Sequence, residues 1–217
     1  MSTIRYLTQR QAIVDICVQL ADTGYLAGTG GNVALRLDEQ HFAVTPSAAD
    51  YYTMTAAQIA VLRLDTLAQV DGELPPSVES ALHATLLRAR PDRPASVHTH
   101  QPVASAVALI GCALPLREAA DRAELGPEVA IVPYGPSGTG LLVRALRKRL
   151  RPEIHAYLLR NHGLVCNAAS LADAARLLGR IERAAAGWLL EQGRTRAPDH
   201  PLHAFADAAL APLTAST

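Results

Sequence analysis

Two histidines one residue apart, His98 and His100 in "SVHTHQPV", are the residues of this chain whose type and spacing point most directly to chemistry. In extended backbone, successive side chains alternate between faces, so His98 and His100 share one face and Thr99 takes the other. A third histidine, His162, stands at a tight turn in "RNHGLVC". Three imidazole nitrogens can hold a divalent cation and leave one coordination position open, the arrangement of a catalytic metal site rather than a structural one. The ordinary reading of a buried histidine is a satisfied core residue, and spacing alone leaves the two readings level. His41, His155, His200 and His203 have no comparable partners and read as surface or packing residues.

Glu79, in "PPSVESALH", falls in the first turn of an expected helix, with His83 one turn further along the same face. A carboxylate there is favoured by the helix dipole whether or not it does chemistry, and on sequence alone that bland reading outweighs a general acid/base beside a metal. Three short loops, "GTGGN" (28–32), "TPSA" (45–48) and "PPS" (75–77), offer backbone N–H groups and small polar side chains of the kind that surround a phosphate without net charge. "GTGGNV" is not a dinucleotide fingerprint, because Val33 stands where its third glycine belongs and a strand follows rather than a helix. Lys148 is the chain's single lysine, in the exposed basic helix end "RALRKRLRPE". Schiff-base chemistry needs a desolvated lysine, so that class is disfavoured.

The elements that must position these groups follow from periodicity and punctuation. Residues 5–23 carry Ile13, Ile16, Cys17 and Leu20 at helical spacing and stop at Gly24. "GTGGNVALRL" and "HFAVTP" read as strands joined by a turn, and "TAAQIAVLRLD" as a turn and a strand. A helix is expected from Ser77, as its N-cap, to Pro91, then the strand bearing His98 and His100. "PVASAVALIG" reads as a small-residue helix, "EVAIVPY" as a strand, "GPSGTGLLVRALRKRL" as a glycine-rich loop feeding a helix, and "EIHAYLLRNHGLVCNA" as a hairpin. A long helix opens after Ser170. Strands and helices alternate without a strict βαβ repeat, so the fold class is α/β with a mixed or mainly antiparallel sheet between helices.

The 217 residues, 49% hydrophobic and 18% charged, suit one domain, read as 1–193 with a weakly patterned tail over 194–217 that is loosely held. Zero formal net charge excludes a global field for nucleic acid or an anionic membrane. Three scattered cysteines give neither a disulfide framework nor a sulfur-bound zinc site. With no signal-like core and no membrane-length apolar run, a soluble, cytoplasmic protein is expected.

Taken together and in order, "GTGGN", "VTPSA", "PPSVES", "RPDRPASVHTH", "VPYGPSGTGLL" and "LLRNHGLV" resemble the class II aldolase and adducin family, particularly its L-fuculose-phosphate aldolase branch, over about residues 24–193. The resemblance implies a three-layer α/β/α fold with a central antiparallel sheet, a homotetramer with active sites at subunit boundaries, and Zn2+ (or Mn2+, Co2+ or Fe2+) as cofactor. It implies His98, His100 and His162 as metal ligands and Glu79 as catalytic acid/base. Thr29, Gly30, Asn32, Ser47 and Ser77 fall on its phosphate-binding positions. The implied activity is retro-aldol cleavage of a small ketose phosphate, with methylthioribulose-1-phosphate dehydratase or sugar-acid-phosphate decarboxylase chemistry as alternatives on the same metal. A non-catalytic adducin-like module is the alternative of another class. Three departures bear on substrate: Ala48 replaces a glycine common in the family loop, Val78 replaces a serine, and "ALPLREAADRAEL" lacks the tyrosine of the fuculose-phosphate enzyme.

Overall fold

The computed structural model describes residues 4–196 and 203–214. Nine strands form one sheet: β1 (Asn32–Arg36), β2 (His41–Val44), β3 (Ala60–Arg63), β4 (Gln69–Asp71), β5 (Ala95–Thr99), β6 (Leu114–Pro115), β7 (Glu128–Val132), β8 (Ala156–Leu159) and β9 (Gly163–Ala168). Their order is β4-β3-β2-β1-β5-β9-β8-β7-β6. Every adjacent pair is antiparallel except β7 and β8. The expected mainly antiparallel sheet is therefore present, with β5 near its centre.

Helices cover both faces, and strand alternation assigns side chains to each. Val33, Ala43 and Val97 face one core with α1 (Leu7–Asp22), α3 (Pro102–Ile110) and α6 (Leu171–Arg196). Ala34, Phe42 and Val44, one residue out of phase, face α2 (Ser80–Ala89) on the other side. Further along the sheet α2 joins α5 (Gly140–Arg147) over Val132, Tyr157 and Val165. The result is three layers. Short α4 (Ala119–Leu125) follows β6, and α7 (His203–Thr214) is tied to the end of α6 by an Arg194–Asp207 ion pair. The remainder of the expected tail lies outside the described residues.

Local signals explain most boundaries. Pro102 opens α3, and Gly111 closes it at φ 81°. Ser170 Oγ accepts the Asp173 N–H at 3.0 Å at the start of α6 and donates to the Asp173 carboxylate at 2.7 Å. One boundary differs from expectation: α2 begins at Ser80, with Glu79 as N-cap, and not at Ser77. The Ser77 N–H donates to the Thr45 carbonyl at 3.0 Å, and a bridge joins Pro46 to Pro76. Those bonds hold Ser77 in the loop, so the chain turns helical three residues later.

Candidate metal centre

All five residues of β5 are buried, and His98 is fully so. The strand ends at Thr99, so His100 lies just beyond it rather than within it as its spacing suggests. The two imidazoles still meet, with Nε2 atoms 3.0 Å apart and ring centroids 4.8 Å apart. His162 arrives from the turn between β8 and β9, its ring 4.7 Å from that of His98 and 5.1 Å from that of His100. Asn161 supplies the turn's left-handed conformation at φ 57°, which asparagine tolerates better than most residues. One ring nitrogen from each of the three histidines falls within 4.8 Å of the others.

Glycines make room for this convergence. A Cβ on Gly163 would lie 2.4 Å from the Thr99 carbonyl oxygen and 2.7 Å from the His100 ring. A Cβ on Gly30 would lie 2.9 Å from His100 Nδ1. Both loops therefore approach the cluster backbone-first, and a side chain at Gly163 would force the strand apart.

The Glu79 carboxylate, 5% exposed, completes the group: Oε2 lies 3.2 Å from His98 Nε2 and Oε1 3.4 Å from His162 Nε2. Asn32 Nδ2 donates to Oε2 at 2.9 Å, and Ser137 Oγ donates to Oε1 at 2.9 Å. Burial alone raises the Glu79 pKa, but the adjacent His98, the Asn32 amide, His162 and the Ser137 hydroxyl outweigh it and hold the carboxyl below the usual carboxylate range. Burial pushes the His98 pKa down, partly opposed by Glu79, and the His100 pKa down as well. His98 Nδ1 lies 2.8 Å from the Leu164 carbonyl, which can only accept, so Nδ1 carries the proton and Nε2 keeps its lone pair toward the cluster.

These residues fit a divalent cation. The cluster gathers imidazole nitrogens and a carboxylate in a buried place, with one imidazole's tautomer already fixed by a carbonyl behind it. His162 Nδ1 is buried without a hydrogen-bond partner, an unmet donor or acceptor in the same ring. Burial favours the neutral form of the His98 imidazole, the form that ligation requires.

The expected phosphate residues border the group. Asn32 on β1 is register partner to His98 on β5 and is buried. Gly30 backs onto His100, while Thr29 and Ser47 are exposed. Ser77 is buried, its Oγ accepting the Glu79 N–H at 3.2 Å. Two site neighbours escaped sequence reasoning: Ser137, which lies in the quoted "GPSGTG" loop without a signal of its own, and Tyr51, whose hydroxyl donates to the Gly31 carbonyl at 2.7 Å. His83 does lie beneath Glu79, but Asn32 stands between them.

Residues 11–189 match the family described as Class II Aldolase and Adducin N-terminal domain. A 5-deoxy-D-ribulose 1-phosphate aldolase of Bacillus thuringiensis serovar kurstaki is 34% identical over 80% of this chain and 81% of its own length. A methylthioribulose-1-phosphate dehydratase of Serratia proteamaculans is 28% identical over 80% of this chain and 90% of its own length. The solved structure of an L-fuculose 1-phosphate aldolase superposes with a TM-score of 0.79 at 27% identity, covering 85% of this chain and 86% of that one. The matched segment contains the whole histidine and glutamate cluster and the sheet that holds it, and the chain belongs to the class II aldolase and adducin family.

Proposed function

We propose that this chain is a metal-dependent lyase that cleaves a small ketose 1-phosphate by retro-aldol chemistry, with zinc as its metal. The observation that carries this reading is the convergence of His98, His100 and His162 with the Glu79 carboxylate 3.2 and 3.4 Å from two of them. When bound, a divalent cation supplies Lewis acidity toward the substrate carbonyl.

The protein's groups do the rest. His98, His100 and His162 are the ligands, and the Leu164 carbonyl orients the first of them. Glu79 moves the protons: retro-aldol cleavage takes one from the C4 hydroxyl, breaks the C3–C4 bond, and returns one to C3. The Glu79 oxygens reach the histidine cluster from Asn32 and Ser137, which keep the acid ionised and aimed. Thr29, Gly30, Asn32, Ser47 and Ser77 bind the phosphate, with one Asn32 amide hydrogen left for it beside the one given to Glu79. A chain with one exposed lysine suits metal chemistry rather than an iminium.

Cleavage of a ketose 1-phosphate between C3 and C4 yields dihydroxyacetone phosphate and an aldehyde. The relative at 34% identity is named for 5-deoxy-D-ribulose 1-phosphate, so that five-carbon sugar comes first in the substrate screen, ahead of L-fuculose 1-phosphate. Dehydration on the same metal is the second reading, favoured by the 28% identity to a methylthioribulose-1-phosphate dehydratase. We also read residues 1–193 as one catalytic domain that forms a homotetramer with sites at subunit boundaries. Leu109, Ile110, Tyr134 and Leu141, each more than half exposed, support a covered surface. Three free cysteines suit a cytoplasmic setting.

The test is metal analysis of the purified protein followed by product analysis on the same sample. About one zinc per chain with release of dihydroxyacetone phosphate supports the aldolase. Metal with water loss and no fragments selects the dehydratase, and a folded protein that binds no divalent metal overturns both.

A further inference from the structure

Behind Glu79 and Asn32 lie two buried polar groups, His83 and Ser96, that the proposed chemistry leaves without a role. His83, fully buried on α2, lies with Nε2 2.5 Å from Asn32 Oδ1 and Nδ1 2.8 Å from Ser96 Oγ. Asn32 in turn donates from Nδ2 to Glu79 Oε2 at 2.9 Å. Three elements, β1, β5 and α2, contribute one link each.

Donor and acceptor chemistry fixes the direction of every link. The ionised carboxylate only accepts, so the Asn32 amide must turn its nitrogen to Glu79 and its oxygen to His83. An amide oxygen only accepts, so the proton of His83 must sit on Nε2. Burial pushes the His83 pKa down to about 4, so the ring is neutral and its Nδ1 accepts the Ser96 hydroxyl proton. Ser96, His83, Asn32 and Glu79 thus form a one-way series in which each donor polarises the next. Were the His83 tautomer reversed, Nε2 would demand the amide nitrogen, and Asn32 would turn its oxygen against the carboxylate.

We infer that His83 is a positioning residue which, through the Asn32 amide, holds the Glu79 carboxylate in the orientation that faces the three histidines; this inference rests on the proposed role of Glu79. The side-chain hydrogen bonds of His83 go to Asn32 and Ser96 and not to the three histidines, so its effect is on the aim of Glu79. A purely structural role would instead require only that a side chain of this volume fill the gap between α2 and the sheet.

The first experiment is NMR of metal-loaded protein labelled with 15N histidine, which reads the tautomer without any turnover. Protonation of His83 at Nε2, with Nδ1 accepting, is expected; a proton on Nδ1 overturns the inference. The second compares His83→Met, which fills the volume without a donor, with His83→Gln, whose amide nitrogen can take the place of Nε2. The expected pattern is full metal content in both, kcat lowered by about 10–100-fold in H83M, and kcat restored to within about threefold of the parent in H83Q. Equal kcat in the two variants, whether both low or both parental, leaves packing as the only role and overturns the inference. Should H83M fail to fold, the tautomer and H83Q still decide. If the parent cleaves none of the ketose phosphates, the proposed function falls, while the tautomer still tests the series itself.

Discussion

Two buried glutamates in this molecule have the same side chain and opposite surroundings. Glu182 on α6, 2% exposed, accepts the N–H groups of Val103 and Ala104 at 2.6 and 2.9 Å and the Gln101 amide at 3.0 Å. Those N–H groups belong to the first turn of α3, which has no capping side chain of its own, so Glu182 caps one helix from another. Glu79, 5% exposed, takes one bond each from Asn32 and Ser137 and then faces three imidazoles. Burial of a carboxylate therefore says nothing about function until its partners are counted. Glu182 is held by two backbone donors and a buried side-chain amide; Glu79 faces imidazoles, groups that can hold a cation.

The sharpest test of the difference lies on the Glu79 side. His98→Ala removes the proposed ligand, whose Nδ1 bond to the Leu164 carbonyl turns Nε2 toward the cluster. Metal content is expected to fall from about one ion per chain to near zero, and activity by more than the 10–100-fold typical of losing an outer-shell partner. Full metal occupancy in H98A would break the ligand assignment.

The same Glu→Gln substitution at both positions then separates the two. E79Q is expected to keep metal and thermal stability and to lose about 10²–10⁴ in kcat, the contribution of a positioned acid/base. E182Q places an amide N–H₂ against backbone N–H groups and is expected to cost about 2–3 kcal/mol of stability, read by denaturant unfolding. The folded fraction of E182Q should turn over at the parental rate. Unchanged turnover in E79Q, or a stability loss there as large as that in E182Q, would erase the distinction.

A smaller effect sharpens the comparison through pH. The His83 pKa is pushed down to about 4 by burial, with Glu79 opposing, against about 6.5 for an unfolded histidine. Because the unfolded chain binds the proton more readily, this contribution to stability is fully present above about pH 6.5 and is lost as pH falls toward 4. Thermal melts of metal-free protein between pH 7 and 4 should show the loss, and H83Q should show less of it. Identical pH slopes in the two would mean that His83 is not held neutral.

How much of this was legible in the sequence depends on how far apart the partners lie. The closeness of His98 and His100 in sequence is local, and so are the turn before His162 and the Ser170 cap of α6; each is readable from spacing, although His100 meets His98 from just beyond the end of β5 rather than by strand alternation. The mainly antiparallel sheet followed from hairpin signals at 32–44 and 156–168. Glu182 was invisible because its partners sit about 80 positions earlier, on another helix, and "RIERAAAG" reads like any amphipathic surface. Ser137 and the Asn32–His83 link were hidden for the same reason, being contacts between elements rather than features of one. The start of α2 was misplaced because Ser77 looks like a helix cap, while a bond to Thr45, far back in the chain, holds it in a loop.

The smallest expected effect concerns a residue whose role is set by backbone rather than by partners. Ala48 has φ 53°, a left-handed conformation that costs an L-residue about 1–2 kcal/mol and glycine almost nothing. Ala48→Gly relieves that strain but gives the unfolded chain more freedom, an offset of about 0.4–1 kcal/mol. The net expectation is a gain of about 0.5 kcal/mol, seen as a rise in Tm of a degree or two. Ala48 follows Ser47, whose N–H donates to the Pro75 carbonyl at 3.0 Å, so the loop is anchored on one side and strained on the other. If 45–48 binds the phosphate, A48G should also lower KM with kcat unchanged, because removal of a methyl group opens the loop amides to the anion without touching Glu79. A raised Tm with an unchanged KM would place the strain in the fold and move the phosphate toward Thr29 and Ser77; a lowered Tm would mean that Ala48 is not strained at all.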